Sequence, residues 1–118
     1  MNISKFTQKS VQAVQDLEKV AYEYGNQEIE EEHLLYALLT QEDSLILKLI
    51  EKMEIQKEYF IDTVKKALDA KVKVSGGELR FGQYLNKALV SAEDEAKAMG
   101  DEYVSVEHLF LAMLKYAS

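Results

Sequence analysis

The chain contains no cysteine, no proline and no tryptophan among its 118 residues. Without cysteine it has no disulfides, zinc–thiolate sites or thiol chemistry, which fits a reducing cytoplasm, the localisation we expect. Without proline, no helix is forced to break in mid-course. No stretch approaches the roughly 18 consecutive apolar residues of a membrane span. The N-terminal residues also lack the apolar segment of a signal peptide.

Positive charge is scarce as well. The 14 lysine and arginine residues face 21 acidic residues, for a formal net charge of −7, and Arg80 is the single arginine. A nucleic-acid-binding surface needs a basic stripe, and an anionic membrane repels an acidic protein. We therefore expect neither nucleic acid nor a membrane as a partner. The hydrophobic content of 47% is enough for a core, so the composition predicts one globular domain over residues 1–118.

The chain does contain an internal repeat. Residues 6–39 align without a gap onto residues 81–114 at an offset of 75, with 11 identities in 34 columns, where unrelated sequences would share roughly two. The identities include Gly25 with Gly100 and the Glu-His-Leu segments at 32–34 and 107–109. Each copy is predicted to be one supersecondary unit stacked on its twin, which gives a pseudo-twofold architecture.

Apolar residues recur with helical spacing throughout, which predicts an all-α fold. Thr7 is the predicted N-cap of the first helix, and Gly25 is its predicted left-handed C-cap. Helices are predicted over about 8–24, 31–39, 44–53 and 56–69 in copy one, and over about 82–99 and from 106 onward in copy two. The second helix of each copy is apolar on every side, so both are predicted to be buried centres.

The domain is predicted to comprise repeat one over about 6–69, a linker over 70–80 with Ser-Gly-Gly at 75–77, and repeat two over about 81–118. Counterparts of the helices at 44–53 and 56–69 do not follow the second copy. We therefore expect that the second repeat is incomplete and that the natural domain continues.

Catalytic and metal-binding patterns are not indicated. His33 and His108 each follow a glutamate, but neither has a second histidine four residues on, as a zinc-protease helix requires. Both are predicted to pack or hydrogen-bond within a first helical turn. Acidic residues at 28–32 are expected to favour a helix N-terminus. No Gly-Lys-Ser/Thr follows the glycines at 76–77, so we predict a non-enzymatic chain without metal or cofactor, which by itself neither binds nor hydrolyses ATP.

Some large residues lie outside the apolar helix faces that are predicted to pack in the core, and we call them off-stripe residues. They form a candidate binding surface: Tyr22, Tyr36, Tyr84, Val90, Leu111 and Tyr116. Two interpretations stay open. Tyr36 and Leu111 can pack against each other across the pseudo-twofold axis. Alternatively, some of these residues line an apolar groove that accepts extended, unfolded segments.

The repeated pattern of spaced alanines, a glycine, a β-branched residue and Glu-His-Leu resembles the Clp amino-terminal repeat. That double repeat forms the N-terminal domain of Clp-type AAA+ unfoldases. The resemblance runs from Phe6 to Leu114 and is closest to the ClpB disaggregase branch, through segments 26–30, 41–43, 74–77 and 103–109. It implies a non-catalytic domain at the entrance of a hexameric ATP-driven ring. Such a domain engages unfolded or aggregated polypeptides and passes them to the AAA+ modules of the same chain.

The resemblance also implies a substrate-binding set. The polar positions tied to this role in the ClpB branch fall on Thr7, Asp101 and Glu107, and the off-stripe residues Tyr84 and Leu111 complete the predicted set. Two alternatives stay open: an adaptor-docking domain of a Clp protease unfoldase (ClpC or ClpA type), or a free-standing Clp-repeat stress protein. The linker has Lys-Val-Lys-Val at 71–74 where relatives often have proline, so it is expected to be looser.

Overall fold

The computed structural model describes residues 3–117, which form six α-helices and two short strands. In chain order, after a 3₁₀ turn at Ile3–Lys5, these are α1 (Gln8–Tyr24), β1 (Glu28–Ile29), α2 (Glu31–Leu39), α3 (Leu45–Lys52), α4 (Lys57–Asp69), β2 (Arg80–Phe81), α5 (Gln83–Ala98) and α6 (Val106–Lys115). The predicted helical fold is confirmed. The strands are too short to leave an alternating pattern in the sequence, and they were not predicted.

Side-chain caps and a left-handed glycine set the helix ends. The Thr7 hydroxyl accepts from the Ser10 amide at 3.2 Å and begins α1, while Gly25, at φ +68°, ends it. The Ser44 hydroxyl accepts from the Leu47 amide at 3.1 Å and begins α3. These contacts satisfy backbone groups that a helix end leaves without partners. They confirm the caps predicted at Thr7 and Gly25.

Short strand pairs tie the two copies together crosswise. β1 and β2 pair in parallel with Ile29 opposite Phe81, and a single parallel bridge joins Phe6 to Val104. The offset of 75 relates Phe6 to Phe81 and Ile29 to Val104, so both pairs are the same contact made twice about a pseudo-twofold axis. The segment that leads into each copy therefore pairs with a loop of the other copy.

The core lies between α1, α2, α5 and α6, with α3 and α4 packed on α2. In α2, Leu34, Leu38 and Leu39 are at most 2% exposed. In α6, by contrast, Leu111 is 40% and Leu114 is 61% exposed. The prediction that both second helices are buried on every side is thus wrong for one face of α6. The reason is that α3 packs on both second helices whereas α4 packs on α2, and α4 has no counterpart on α6 within residues 3–117.

The first part of the linker is anchored to copy one. The Lys71 ammonium group pairs with the carboxylates of Glu30 and Glu32, and the Val74 amide donates to the Gly25 carbonyl at 2.9 Å. Burial alone would lower the pKa of Lys71, but the hydrogen bond to Glu30 and the two carboxylate charges outweigh it and raise that pKa. The expectation of a looser linker is therefore wrong for residues 71–74.

Candidate functional site

Each copy holds a buried histidine at the start of its second helix. His33 is fully buried and His108 is 3% exposed. The Glu30 amide donates to Nδ1 of His33 at 2.9 Å, and the Ser105 amide donates to Nδ1 of His108 at 2.9 Å. Because Nδ1 accepts in both rings, the proton of each neutral imidazole lies on Nε2. The histidines therefore bond within a first helical turn, as predicted.

The Nε2 partner differs between the copies. In copy one, Nε2 of His33 donates to Oδ1 of Asn26 at 3.0 Å. Asn26 is only 4% exposed and donates onward to the Val72 carbonyl at 3.0 Å. In copy two, Nε2 of His108 donates to Oδ2 of Asp101 at 2.9 Å, and the Asp101 side chain is 49% exposed. The two copies thus share the histidine arrangement, with a backbone amide on Nδ1 and a side chain seven residues earlier on Nε2. That side chain is a buried amide in copy one and a half-exposed carboxylate in copy two.

Electrostatics keep the copy-one histidine neutral. Burial lowers the pKa of His33 below its ordinary value, and the nearby charge of Lys71 lowers it further. The carboxylates of Glu30 and Glu32 oppose this effect without reversing it. A neutral ring keeps a lone pair on Nδ1, so the bond from the Glu30 amide persists at pH 7.

The structure brings Thr7 to the loop that carries Asp101. The Thr7 amide donates to the Val104 carbonyl at 2.9 Å, and the Val104 amide donates to the Lys5 carbonyl at 2.8 Å. Glu107 follows this loop in the first turn of α6, where it is partly buried. The three predicted polar residues therefore lie on the two segments that meet at this crossing, which we call the 7/104 crossing. The Thr7 hydroxyl is engaged inside the fold, because it caps α1 and donates to the Ser10 hydroxyl at 3.0 Å.

A shallow cleft of about 120 Å³ lies beside the 7/104 crossing. Its lining includes Asp101 but neither Thr7 nor Glu107. The carboxylates in the lining outnumber the ammonium groups; the residues are Lys5, Glu93, Ala96, Lys97, Asp101, Glu102 and Val104. The lining of the cleft therefore has a net negative charge.

Tyr84 does not join this cluster. It is 47% exposed and lines a second cleft, of about 180 Å³, with Gly82 and glutamates of segment 28–32. The Lys87 ammonium lies 5.8 Å from the centre of its ring, in a cation–π contact. Gly82 is the repeat counterpart of Thr7. The second cleft therefore lies where β1 and β2 pair, which is the pseudo-symmetric equivalent of the 7/104 crossing.

An apolar groove of about 200 Å³ between α2 and α6 was not predicted from the sequence. It is lined by Glu31, Glu32, Leu35, Phe110, Met113, Leu114 and Ala117. Leu111 lies outside this lining but is three residues before Leu114, on the exposed face of α6. Tyr36 lies edge-on to Tyr24 at 5.7 Å, inside copy one. The groove lies at the edge of the core stripe, which is why the search for off-stripe residues missed it.

Within residues 3–117, no group of three histidine, aspartate or glutamate residues could hold a metal ion. Both histidines use both ring nitrogens inside the fold. No helix in the same part of the chain is long and apolar enough to cross a bilayer. What the structure defines is a tandem helical-repeat domain with pseudo-twofold symmetry.

Comparison with known proteins identifies the family. The model of the Clp repeat N-terminal domain matches residues 5–118. Two chaperone proteins ClpB are similar: that of Nitratidesulfovibrio vulgaris is 39% identical over 98% of this chain, and that of Porphyromonas gingivalis is 40% identical over 97%. The chain spans only 14% and 13% of these curated relatives. It belongs to the Clp repeat N-terminal domain family, as the resemblance predicted.

Solved structures show the same fold. The Hsp104 N-terminal domain from Candida albicans is similar with a TM-score of 0.83 and 21% identity, over 93% of this chain and 73% of that one. A ClpV N-domain in complex with a VipB peptide is similar with a TM-score of 0.75 and 20% identity, over 96% of this chain and 69% of that one.

Proposed function

We propose that this chain is the non-catalytic substrate-recognition domain of a ClpB-like, ATP-dependent protein disaggregase. It engages unfolded or aggregated polypeptides and delivers them to the AAA+ ring of a hexameric parent chain in the cytoplasm. The observation that carries the proposal is the similarity to two ClpB proteins at 39–40% identity over nearly the whole chain. ATP is used by the parent's AAA+ modules, and this domain needs no cofactor of its own.

The substrate-binding set is Thr7, Asp101 and Glu107 at the 7/104 crossing, with Tyr84 and Leu111 as separate contacts. The polar, half-exposed carboxylate of Asp101 supports the first cluster. The exposure of Tyr84 and Leu111 supports the other two, since exposed large side chains beside clefts are typical of interaction surfaces. The division into repeat one at about 6–69, a linker at 70–80 and repeat two at about 81–118 belongs to the same proposal.

The test is an NMR titration of residues 1–118 with unfolded casein. Resonances near Thr7, Asp101, Tyr84 and Leu111 should shift, with weak affinity because a single module has no avidity. Replacing Leu111 by alanine should reduce binding. Leu45→Ala is the matched control, because Leu45 on α3 is the same residue type at 41% exposure, against 40% for Leu111, and is not in the candidate binding surface. A titration in which casein shifts none of these resonances would refute the proposal.

A second candidate is an adaptor-docking N-domain of a Clp protease unfoldase. It is supported by the ClpV N-domain of the same fold, which is in complex with a VipB peptide, so this fold can hold a defined partner segment. A chain that ignores casein but binds one folded adaptor stoichiometrically would favour this candidate. A third candidate is a free-standing Clp-repeat stress protein. A Walker A lysine encoded downstream in the same reading frame would exclude this candidate.

A further inference from the structure

We propose that His108 is a positioning residue: it holds Asp101 so that the carboxylate accepts a hydrogen bond from a lysine or arginine side chain of the client polypeptide. This inference rests on the proposed function. It adds to that function a residue that does not itself touch the client, and a chemical class for the client group.

The His108 ring is fixed from both sides. Nδ1 accepts from the Ser105 amide at 2.9 Å and lies 3.0 Å from the Ser105 hydroxyl, while Nε2 donates to Oδ2 of Asp101 at 2.9 Å. The ring is also buried at 3% exposure. A carboxylate held in this way loses little conformational freedom when a ligand arrives, and that preorganisation favours binding.

Asp101 keeps an open side. Its side chain is 49% exposed, and Oδ1 makes no hydrogen bond within residues 3–117. An ionised carboxylate has about four acceptor positions, of which the His108 bond uses one. Around it, the cleft holds Glu93 and Glu102 against Lys5 and Lys97. With Asp101 included, the net charge of the lining is negative, so a cationic side chain is the favoured ligand.

Copy one has the same histidine arrangement without an exposed charge. His33 has the same two contacts, but Asn26 is 4% exposed and uses its amide group on the Val72 carbonyl. The oxygen and the nitrogen of the Asn26 amide are therefore both hydrogen-bonded inside the fold, and Asn26 carries no charge. Charge and exposure occur together only in copy two, at Asp101.

The experiment is a double-mutant cycle on residues 1–118 with His108→Leu and Asp101→Asn. The probes are a short peptide of leucine and lysine and a second peptide in which norleucine replaces lysine. Asp101→Asn keeps an acceptor for the His108 proton, as Asn26 does for His33, but removes the charge. Each single variant should weaken binding of the lysine peptide about three- to tenfold, as expected for one partly exposed ion pair. Neither should change binding of the norleucine peptide.

The cycle separates positioning from structure. If His108 acts through Asp101, His108→Leu has no further effect in the Asp101→Asn background. His33→Leu is the matched control, since it removes the equivalent cap in copy one and should leave lysine-peptide affinity unchanged. Additive losses, or equal losses from the two histidine variants, overturn the inference while the proposed function stands. If His108→Leu does not fold, the NMR signal of the His108 Nε2 proton in the unmodified domain takes its place. That signal should shift when the lysine peptide is added and stay in place with the norleucine peptide, and a signal that ignores both peptides overturns the inference. If the unmodified domain binds neither peptide nor casein, the proposed function itself fails.

Discussion

Replacing Asn26 by aspartate should strongly destabilise the domain, although the repeat places an aspartate at the equivalent position. Asn26 accepts from His33 and donates to the Val72 carbonyl, both at 3.0 Å, and is 4% exposed. Aspartate keeps the first bond but cannot make the second, so a carboxylate oxygen faces a carbonyl oxygen at hydrogen-bond distance. A buried acceptor left without a partner costs about 1–3 kcal/mol, and burial of the charge adds to this, for a total of about 2–4 kcal/mol.

Urea unfolding followed by circular dichroism measures the effect. With a slope of about 1–3 kcal/mol per molar for a small domain, the midpoint should fall by about 1–2 M. The control is Asp101→Asn, which exchanges the same two residue types at a half-exposed position and should change the free energy of unfolding by less than about 1 kcal/mol. Equal midpoints for Asn26→Asp and the unmodified domain would show that the buried amide does not hold the linker.

Three further predictions concern stability. The pKa of His33 is lowered from 6.5 in the folded state, so the unfolded chain binds a proton first as the pH falls; stability should be full above about pH 6.5 and decline below it by up to about 1.4 kcal/mol per unit. Urea unfolding across this range should show that slope, and His33→Gln should flatten it. Leu39→Ala should lower the free energy of unfolding by about 2–5 kcal/mol, whereas Leu114→Ala, at the repeat-equivalent but exposed position, should change it by less than about 0.5 kcal/mol; similar losses would contradict the burial assigned to α6. Gly25→Ala should cost about 1 kcal/mol in thermal unfolding, because φ is +68° and alanine is strained there.

Local rules predicted the helices well because the signals are local. Thr7, Ser44 and Gly25 act within one turn of their own positions, so a cap or a left-handed glycine can be identified from neighbouring residues alone. The repeat added the architecture and the family. The local hydrogen bonds of the two histidines could be predicted because both residues lie in a first helical turn.

Contacts between distant segments were not predicted. The pairing of Phe6 with Val104 depends on how the copies cross, and a one-residue bridge leaves no periodic signal. The Asp101–His108 bond could have been found, since an Asn or Asp stands seven residues before the histidine in both copies. Lys71 was treated as part of a loose linker, because its carboxylate partners lie about forty residues away in sequence, beyond the reach of local pattern rules.

The crosswise strand pairs have a consequence for how the chain folds. Helical domains usually fold fast because their contacts are local. Here the segment that leads into each copy pairs with residues that follow the first helix of the other copy, so these contacts join positions far apart in sequence. The β1–β2 pair and the Phe6–Val104 bridge can form only after large loops have closed, which opposes them entropically. Neither copy should therefore hold its native loop without the other. Folding should appear as one cooperative transition, slower than the helix content suggests, and a cut at Gly76–Gly77 should leave two halves that regain structure only together.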